Sequence, residues 1–202
     1  MTVIDTVIFD IGNVLYRWDP RFLYEKLIAD KAQLDWFLSH VVTHEWHFQH
    51  DAGRPIAEMI AERIAQFPDH AEWITAYALR WLETIPGSVP GSLELVAALA
   101  ARGVPLYAIT NFGADFWAMF RPTAPVFDHF RDIVVSGAEK MLKPDPAIYR
   151  LAIDRFAIDP ARALFIDDRQ DNVEAARGVG LNAYHFTDAA ALDSTLRSLG
   201  LL

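Results

Sequence analysis

Five short apolar runs constrain this chain more than anything else in it: TVIFD (6–10), VPLYAIT (104–110), DIVVS (132–136), ALFID (163–167) and LNAYHF (181–186). Each is nearly continuous in hydrophobicity, as strands covered on both faces are. Helical patterns separate the later ones. SLELVAALAARG (92–103) ends on a glycine, and PAIYRLAIDRFAI (146–158) follows Asp145, a good N-cap, with Pro146 at the first helical position. VEAARGVG (173–180) stops on glycines, and DAAALDSTLRSLG (188–200) reads as a closing surface helix. Strand alternating with helix predicts an α/β fold, a Rossmann-like parallel sheet with right-handed crossovers.

The alternation breaks once. Between the first strand and residue 86, RFLYEKLIAD, KAQLDWFLSHVV, IAEMIAERIAQF and HAEWITAYALRWLETI have helical spacing. An insert of about 70 residues is too long for an ordinary βα loop. The expected organisation is therefore a core of residues 1–15 and 87–202 and a helical cap of residues 16–86, with PGSVPG (86–91) as the hinge back to the sheet. Trp18, Trp36, Trp46, Trp73 and Trp81 read as packing of that cap.

Charge and composition exclude several classes. The net charge is −9 with no block of Lys or Arg, which argues against a nucleic-acid binder or a polybasic membrane-surface protein. There is no cysteine, so disulfides, thiol catalysis and Cys-ligated zinc are excluded. No apolar run approaches the roughly 18–20 residues that cross a bilayer. The N-terminus lacks the basic region and cleavage site of a signal peptide, so a cytoplasmic protein, a monomer or a homodimer, is expected.

In an open parallel sheet, ligands bind beyond the carboxyl ends of the strands. The polar residues there are Asp10, then Thr110 and Asn111, Lys143 in the loop before the helix at 146, and Asp167 and Asp168, with Asp171 and Asn172 in the next turn. Carboxylates gathered in one place repel one another unless a cation sits among them. Oxygen ligands without cysteine favour Mg²⁺, which is held by one or two carboxylates plus waters and substrate phosphate.

FDIGNV, TN, KPDPAIY and FIDDRQDN occur in that order along the core. With them the chain resembles the haloacid dehalogenase-like hydrolase superfamily, in the branch with a helical cap directly after the first strand. The resemblance implies hydrolysis of a small phosphorylated metabolite, with Asp10 as the nucleophile that forms an aspartyl-phosphate. It implies Mg²⁺ held by Asp10, the Gly12 carbonyl and Asp168, with Asp167 either a further ligand or a support. It gives Thr110 the phosphoryl oxygens and Lys143 the charge of Asp10 and the phosphoryl group. Asn111 and Asn13 are the expected substrate contacts beside them.

One position departs from the pattern. The superfamily's phosphatases usually place a second Asp two residues after the nucleophile, to protonate the leaving alcohol and later deprotonate water. Here that residue is Gly12. Such general acid–base help is worth roughly 10²–10⁴-fold. The sequence is similar to bacterial D-x-G-N-V phosphatases, a branch that includes glucose-1-phosphate phosphatases, so a sugar phosphate is one expected substrate. A metal-independent 2-haloacid dehalogenase is the alternative, since a halide leaves without a proton and Lys143 and Tyr149 fit that pattern; Asp167-Asp168 does not. A binding protein without turnover is the other alternative. In the cap, HVVTHEWHFQHDAGR carries His40, His44, His47 and His50, read as a face turned to the substrate or a solvated helix rather than a metal site. His47, Gln49, Asp51 and Arg54 are the specificity candidates, and His47 is a candidate for the missing proton.

Overall fold

All five apolar runs form strands of one parallel sheet in the computed structural model, which describes residues 3–202. The strands are β1 (Thr6–Phe9), β2 (Leu106–Thr110), β3 (Asp132–Val135), β4 (Ala163–Asp167) and β5 (Asn182–His185). Their order is β3-β2-β1-β4-β5, with Ile8 of β1 opposite Tyr107 on one side and Phe165 on the other. β1 is thus the central strand, and the strands beside it end in Thr110 and Asp167. Alternation divides the side chains between two apolar clusters. Val7, Phe9, Leu106, Ala108, Leu164 and Ile166 belong to one; Ile8, Tyr107, Ile109 and Phe165 belong to the other. β5 departs from the expectation of full burial, because it is the edge strand and Asn182 and His185 stay exposed.

The crossovers are α6 (Ser92–Ala101), α9 (Pro146–Phe156) and α10 (Gln170–Gly178), and α11 (Ala189–Ser198) closes the chain. Asp145 caps α9 as its sequence predicts, accepting from Ala147 N at 2.8 Å. Two short helices, α7 (Ala114–Phe120) and α8 (Ser136–Glu139), follow β2 and β3. Among the described residues, no helix is long and apolar enough to cross a membrane.

Between β1 and α6 the chain is helical: α1 (Arg21–Tyr24), α2 (Lys31–His40), α3 (His44–Asp51), α4 (Ile56–Gln66) and α5 (Ala71–Leu79). HAEWITAYALRWLETI is not one helix. It breaks at Arg80 into a 3₁₀ turn over Trp81–Thr84. The break carries the Trp81 ring onto Phe116 of α7, stacked at 4.4 Å and 16°. The two chain crossings below the cap run side by side, Arg17 N donating to Gly87 O at 3.0 Å and Val89 N to Leu15 O at 2.9 Å.

The cap is seated closely on the core. Ser136 Oγ donates to Asp51 O at 2.7 Å and accepts from Phe112 N at 2.9 Å, so one hydroxyl joins α3 to the ends of β2 and β3. Glycine permits close approach at two places, one between cap and core and one within the core. A methyl group at Gly113 would lie 2.0 Å from His50 Cδ2, and one at Gly137 would lie 2.7 Å from Ala114 N. Real Cβ atoms do not come that near, and the second neighbour is backbone. Gly137→Ala is therefore expected to cost about 1–3 kcal/mol through overpacking. Thermal melting should show it as a loss of about 2–4 °C per kcal/mol in a chain of this size. Gly178→Ala, where a methyl meets nothing within 4 Å, is the control and should leave the melting temperature nearly unchanged.

Candidate active site

Asp10 follows the last residue of β1, and its carboxylate is fixed by two donors. Oδ1 accepts from Ile11 N at 2.7 Å and pairs with Lys143 Nζ at 2.7 Å, while Oδ2 accepts no hydrogen bond from the described residues. Lys143 Nζ also donates to Asp167 Oδ2 at 2.7 Å. The lysine stands on a loop rather than a strand, and Asn111 holds that loop. Lys143 N donates to Asn111 Oδ1 at 2.8 Å and Asn111 Nδ2 donates to Lys143 O at 3.0 Å.

Asp167 is fully buried and fully engaged. Its Oδ1 accepts from Arg169 N at 2.9 Å and Asn172 Nδ2 at 2.9 Å, and Oδ2 accepts from Lys143 and Asn172. The Asp168 side chain, by contrast, accepts no hydrogen bond from the described residues and lines the cavity above the sheet. Asp10, Asp167 and Asp168 bring one oxygen each within 4.8 Å of one another. Against three acids stands the single buried ammonium of Lys143.

That imbalance shows in the ionisation of the group. Burial is the largest influence on Asp10 and, with Asp167 and Asp168, pushes its pKa up to about 7 against the pull of Lys143. Burial and then Asp167 raise Asp168. Burial works against the Lys143 ammonium, but Asp10 and Asp167 outweigh it and lift its pKa above the ordinary lysine value. A divalent cation at the acids would restore the carboxylate forms. The donor set fits Mg²⁺: all ligand atoms are oxygens, Asp168 accepts no hydrogen bond from the described residues, and Asn172, whose buried Oδ1 has no partner among them, lines the same cavity. An unpaired buried acceptor there suits a water of a hydrated ion.

The cavity has a volume of about 210 Å³ and is lined by both the sheet rim and the cap. His44, His47, Phe48 and Asp51 all line it, the i, i+3, i+4, i+7 face of α3. Tyr16, Trp18, Trp81, Ile85 and Phe112 complete a largely aromatic wall. Arg169 stands at the rim, paired with Asp171 at 2.7 Å and 5.9 Å above the Phe48 ring.

The remaining candidates divide between the cavity wall and the packed interior or surface around it. Asn111 and Asn13 line the cavity, but Asn111 spends its amide on Lys143, and Asn13 Oδ1 accepts from Trp18 N at 3.0 Å. Gly12 lines the cavity and pairs with Tyr16. Thr110 is buried at the end of β2, one residue short of the wall. His47 lies on the wall with both ring nitrogens engaged, by Tyr77 Oη at 2.7 Å and Asp51 Oδ2 at 3.2 Å. Arg54, just past the end of α3, does not line the cavity and is bound to Gln49 and Glu62. Tyr149 is buried and donates to Asn172 O at 3.1 Å instead of facing the cavity. His40 bonds Trp36 O and His50 bonds Arg54 O, so the four histidines do not converge. Arg169 is the residue that motif reading passed over; its place just after Asp168 at a strand end was the available signal.

The model of the haloacid dehalogenase-like hydrolase family matches residues 4–180. A sesquiterpene phosphatase from Aspergillus oryzae is 26% identical over 198 residues, covering 98% of this chain and 97% of that protein. The chain spans less than half the length of several other curated relatives. Among solved structures, a HAD family enzyme from Bacteroides thetaiotaomicron in complex with magnesium and inorganic phosphate has a TM-score of 0.68. It is 22% identical, over 92% of this chain and 95% of that one. An L-2-haloacid dehalogenase from Xanthobacter autotrophicus has a TM-score of 0.61 at 18% identity, over 97% and 83%. Those two share the fold. With the family match running from β1 through α10, the chain belongs to the haloacid dehalogenase-like hydrolases.

Proposed function

We propose that the protein is a magnesium-dependent phosphatase that hydrolyses small phosphate monoesters through a phosphoryl group carried on Asp10. The observation that carries this reading is the pairing of Asp10 with Lys143 at 2.7 Å beside the unengaged carboxylate of Asp168 on one cavity wall. An anionic haloacid would meet a surplus of negative charge there, which disfavours the dehalogenase.

Asp10 attacks phosphorus, and the ester oxygen departs. Lys143, fixed by Asn111 and Asp167, offsets the charge on Asp10 and the phosphoryl oxygens without having to move during the reaction. Asp10, the Gly12 carbonyl and Asp168 are the residues that would hold Mg²⁺, with Asp167 and its partner Asn172 supporting them from below. When bound, the ion would neutralise phosphoryl charge. Water then releases phosphate from Asp10 and restores the carboxylate. The cap over the cavity limits the access of bulk water while this happens.

The walls bear on the leaving group. Trp18, Phe48, Trp81, Ile85 and Phe112 offer apolar surface where a sugar would need several hydrogen-bond partners. An alcohol with an apolar body suits them better than a sugar phosphate, and the similarity to a sesquiterpene phosphatase supports the same reading.

Phosphate release from a panel of alkyl, aryl and sugar monoesters should require Mg²⁺, stop with EDTA, and be absent from Asp10→Asn. Release that is unaffected by EDTA, or retained by the Asn variant, would refute the assignment. Across straight-chain alkyl phosphates, kcat/KM should rise about fourfold per added methylene while the wall lasts, the equivalent of ~0.8 kcal/mol of burial. Glucose 1-phosphate should fall below them. Asn111→Ala frees the Lys143 loop and should lower kcat by about 10²-fold with KM nearly unchanged, the signature of misplaced rather than missing chemistry.

A further inference from the structure

The phosphatase reading leaves one chemical need unmet. A proton must reach the departing alkoxide, and a base must take one from the water that follows, yet Gly12 has no side chain to do either. The cavity wall limits the alternatives. Lys143 is locked between two carboxylates, and Asp10 and Asp168 are committed to phosphorus and to the cation. Burial raises the pKa of Tyr16, making it a poorer acid. Arg169 does not give up its proton in this range. His47 has both ring nitrogens engaged, and His44 is exposed at the rim.

Asp51 remains, and it is built differently from a structural acid. It is 1% exposed and lines the cavity. Oδ2 lies 3.2 Å from His47 Nε2, while Oδ1 is buried with no partner among the described residues. A buried carboxylate oxygen without a donor costs free energy until a donor reaches it. Behind it, the His47 ring is fixed from two sides. Tyr77 Oη bonds Nδ1 at 2.7 Å, and the Trp18 ring stacks on the imidazole at 4.5 Å and 28°. Burial raises the Tyr77 pKa well above the ordinary phenol value, so Tyr77 stays a neutral partner. The Asp51 peptide is itself tied to the core by Ser136 Oγ, whose other partner is Phe112 N, two residues after Thr110. An acid whose backbone is tied to the core and whose carboxylate is oriented by a histidine has the arrangement of a proton carrier.

We propose that Asp51, supplied by the cap, is the acid and base that replaces the absent second aspartate, with His47 and Tyr77 as its positioning residues. The proposal rests on the phosphatase reading. In the first half-reaction the Asp10 carboxylate forms a bond to phosphorus and the bond to the ester oxygen breaks. That oxygen takes the Asp51 proton and leaves as the alcohol. In the second, Asp51 as carboxylate takes a proton from water, the water oxygen bonds phosphorus, and the bond from phosphorus to Asp10 breaks. Asp10 returns as carboxylate, Asp51 returns protonated, and the sum is ester plus water giving alcohol plus phosphate.

The test compares the parent protein, Asp51→Asn and Asp51→Glu on n-hexyl phosphate and p-nitrophenyl phosphate, with melting temperatures for all three. Nitrophenolate leaves without a proton, so the two esters separate the half-reactions. Asp51→Asn should slow hexyl phosphate by about 10²–10⁴-fold. With the nitrophenyl ester it should release one equivalent of nitrophenol in a burst and then stall on phosphorylated Asp10. Asp51→Glu should recover part of both rates. An Asn variant that turns over both esters like the parent overturns the proposal. So does one that slows both by the same factor with no burst, a lowered melting temperature and no recovery in the Glu variant, since that is a structural loss. If the parent itself releases phosphate from neither ester, the phosphatase reading falls, and this proposal with it.

Discussion

The Lys143 ammonium lies 2.7 Å from Asp10 Oδ1 and 2.7 Å from Asp167 Oδ2, and all three groups are buried. Few arrangements make such a site tolerable. Charges taken out of water are costly, and mutual attraction offsets that cost only where geometry is good and the remaining lone pairs are satisfied. The fold meets the condition by bringing four chain segments to one point. β1 ends at Asp10, β4 ends in Asp167, Asn111 follows β2, and the Lys143 loop is clamped by Asn111 at both its N–H and its carbonyl. The order β3-β2-β1-β4-β5 is what makes these ends neighbours. Two acids thereby share a single lysine, and Asp168 stands beside them accepting no hydrogen bond from the described residues.

The sheet was legible in the sequence because each strand is decided locally. A run such as ALFID is short, apolar and closed by acids whatever surrounds it. Strand-end residues were legible for the same reason, since chain direction in a parallel sheet sends every carboxyl end to one rim. What could not be read depended on distant partners. The break at Arg80 follows from Trp81 stacking on Phe116, 35 positions away, and nothing within HAEWITAYALRWLETI announces it. Asn111 and Asn13 have amides that suit a ligand as well as a backbone; only the fold shows that loops claimed them. Arg54 differs from Asp51 by less than one helical turn, yet the end of α3 falls between them and only Asp51 lines the cavity.

The α3 face shows how a short segment can carry several properties together. His44, His47, Phe48 and Asp51 share one side of two helical turns, so a single rigid element presents an aromatic surface and a polar pair to the same cavity. Low helical amphipathicity in that segment reflects this use: its inward face is not a conventional core. Thr43 begins the helix by accepting from Trp46 N at 3.1 Å, and Ser136 fixes its last residue, so both ends are set by hydrogen bonds.

The apolar cluster that fills the cap does not stop at the cap. Tyr24, Phe37, Trp46 and Tyr77 continue through Trp81 into Phe112, Phe116 and Phe120, and onward to Val7 and Phe9 of the central strand. Cap and sheet are therefore not a lid and a box that evolution can exchange freely. A chain inheriting a different insert at this position would leave Phe112 and Phe116 bare, and a cap transplanted elsewhere would present Trp81 to water. Changes in substrate preference along this lineage should then accumulate as single replacements on the α3 face, with the aromatic seam passed on intact, rather than by wholesale trade of caps.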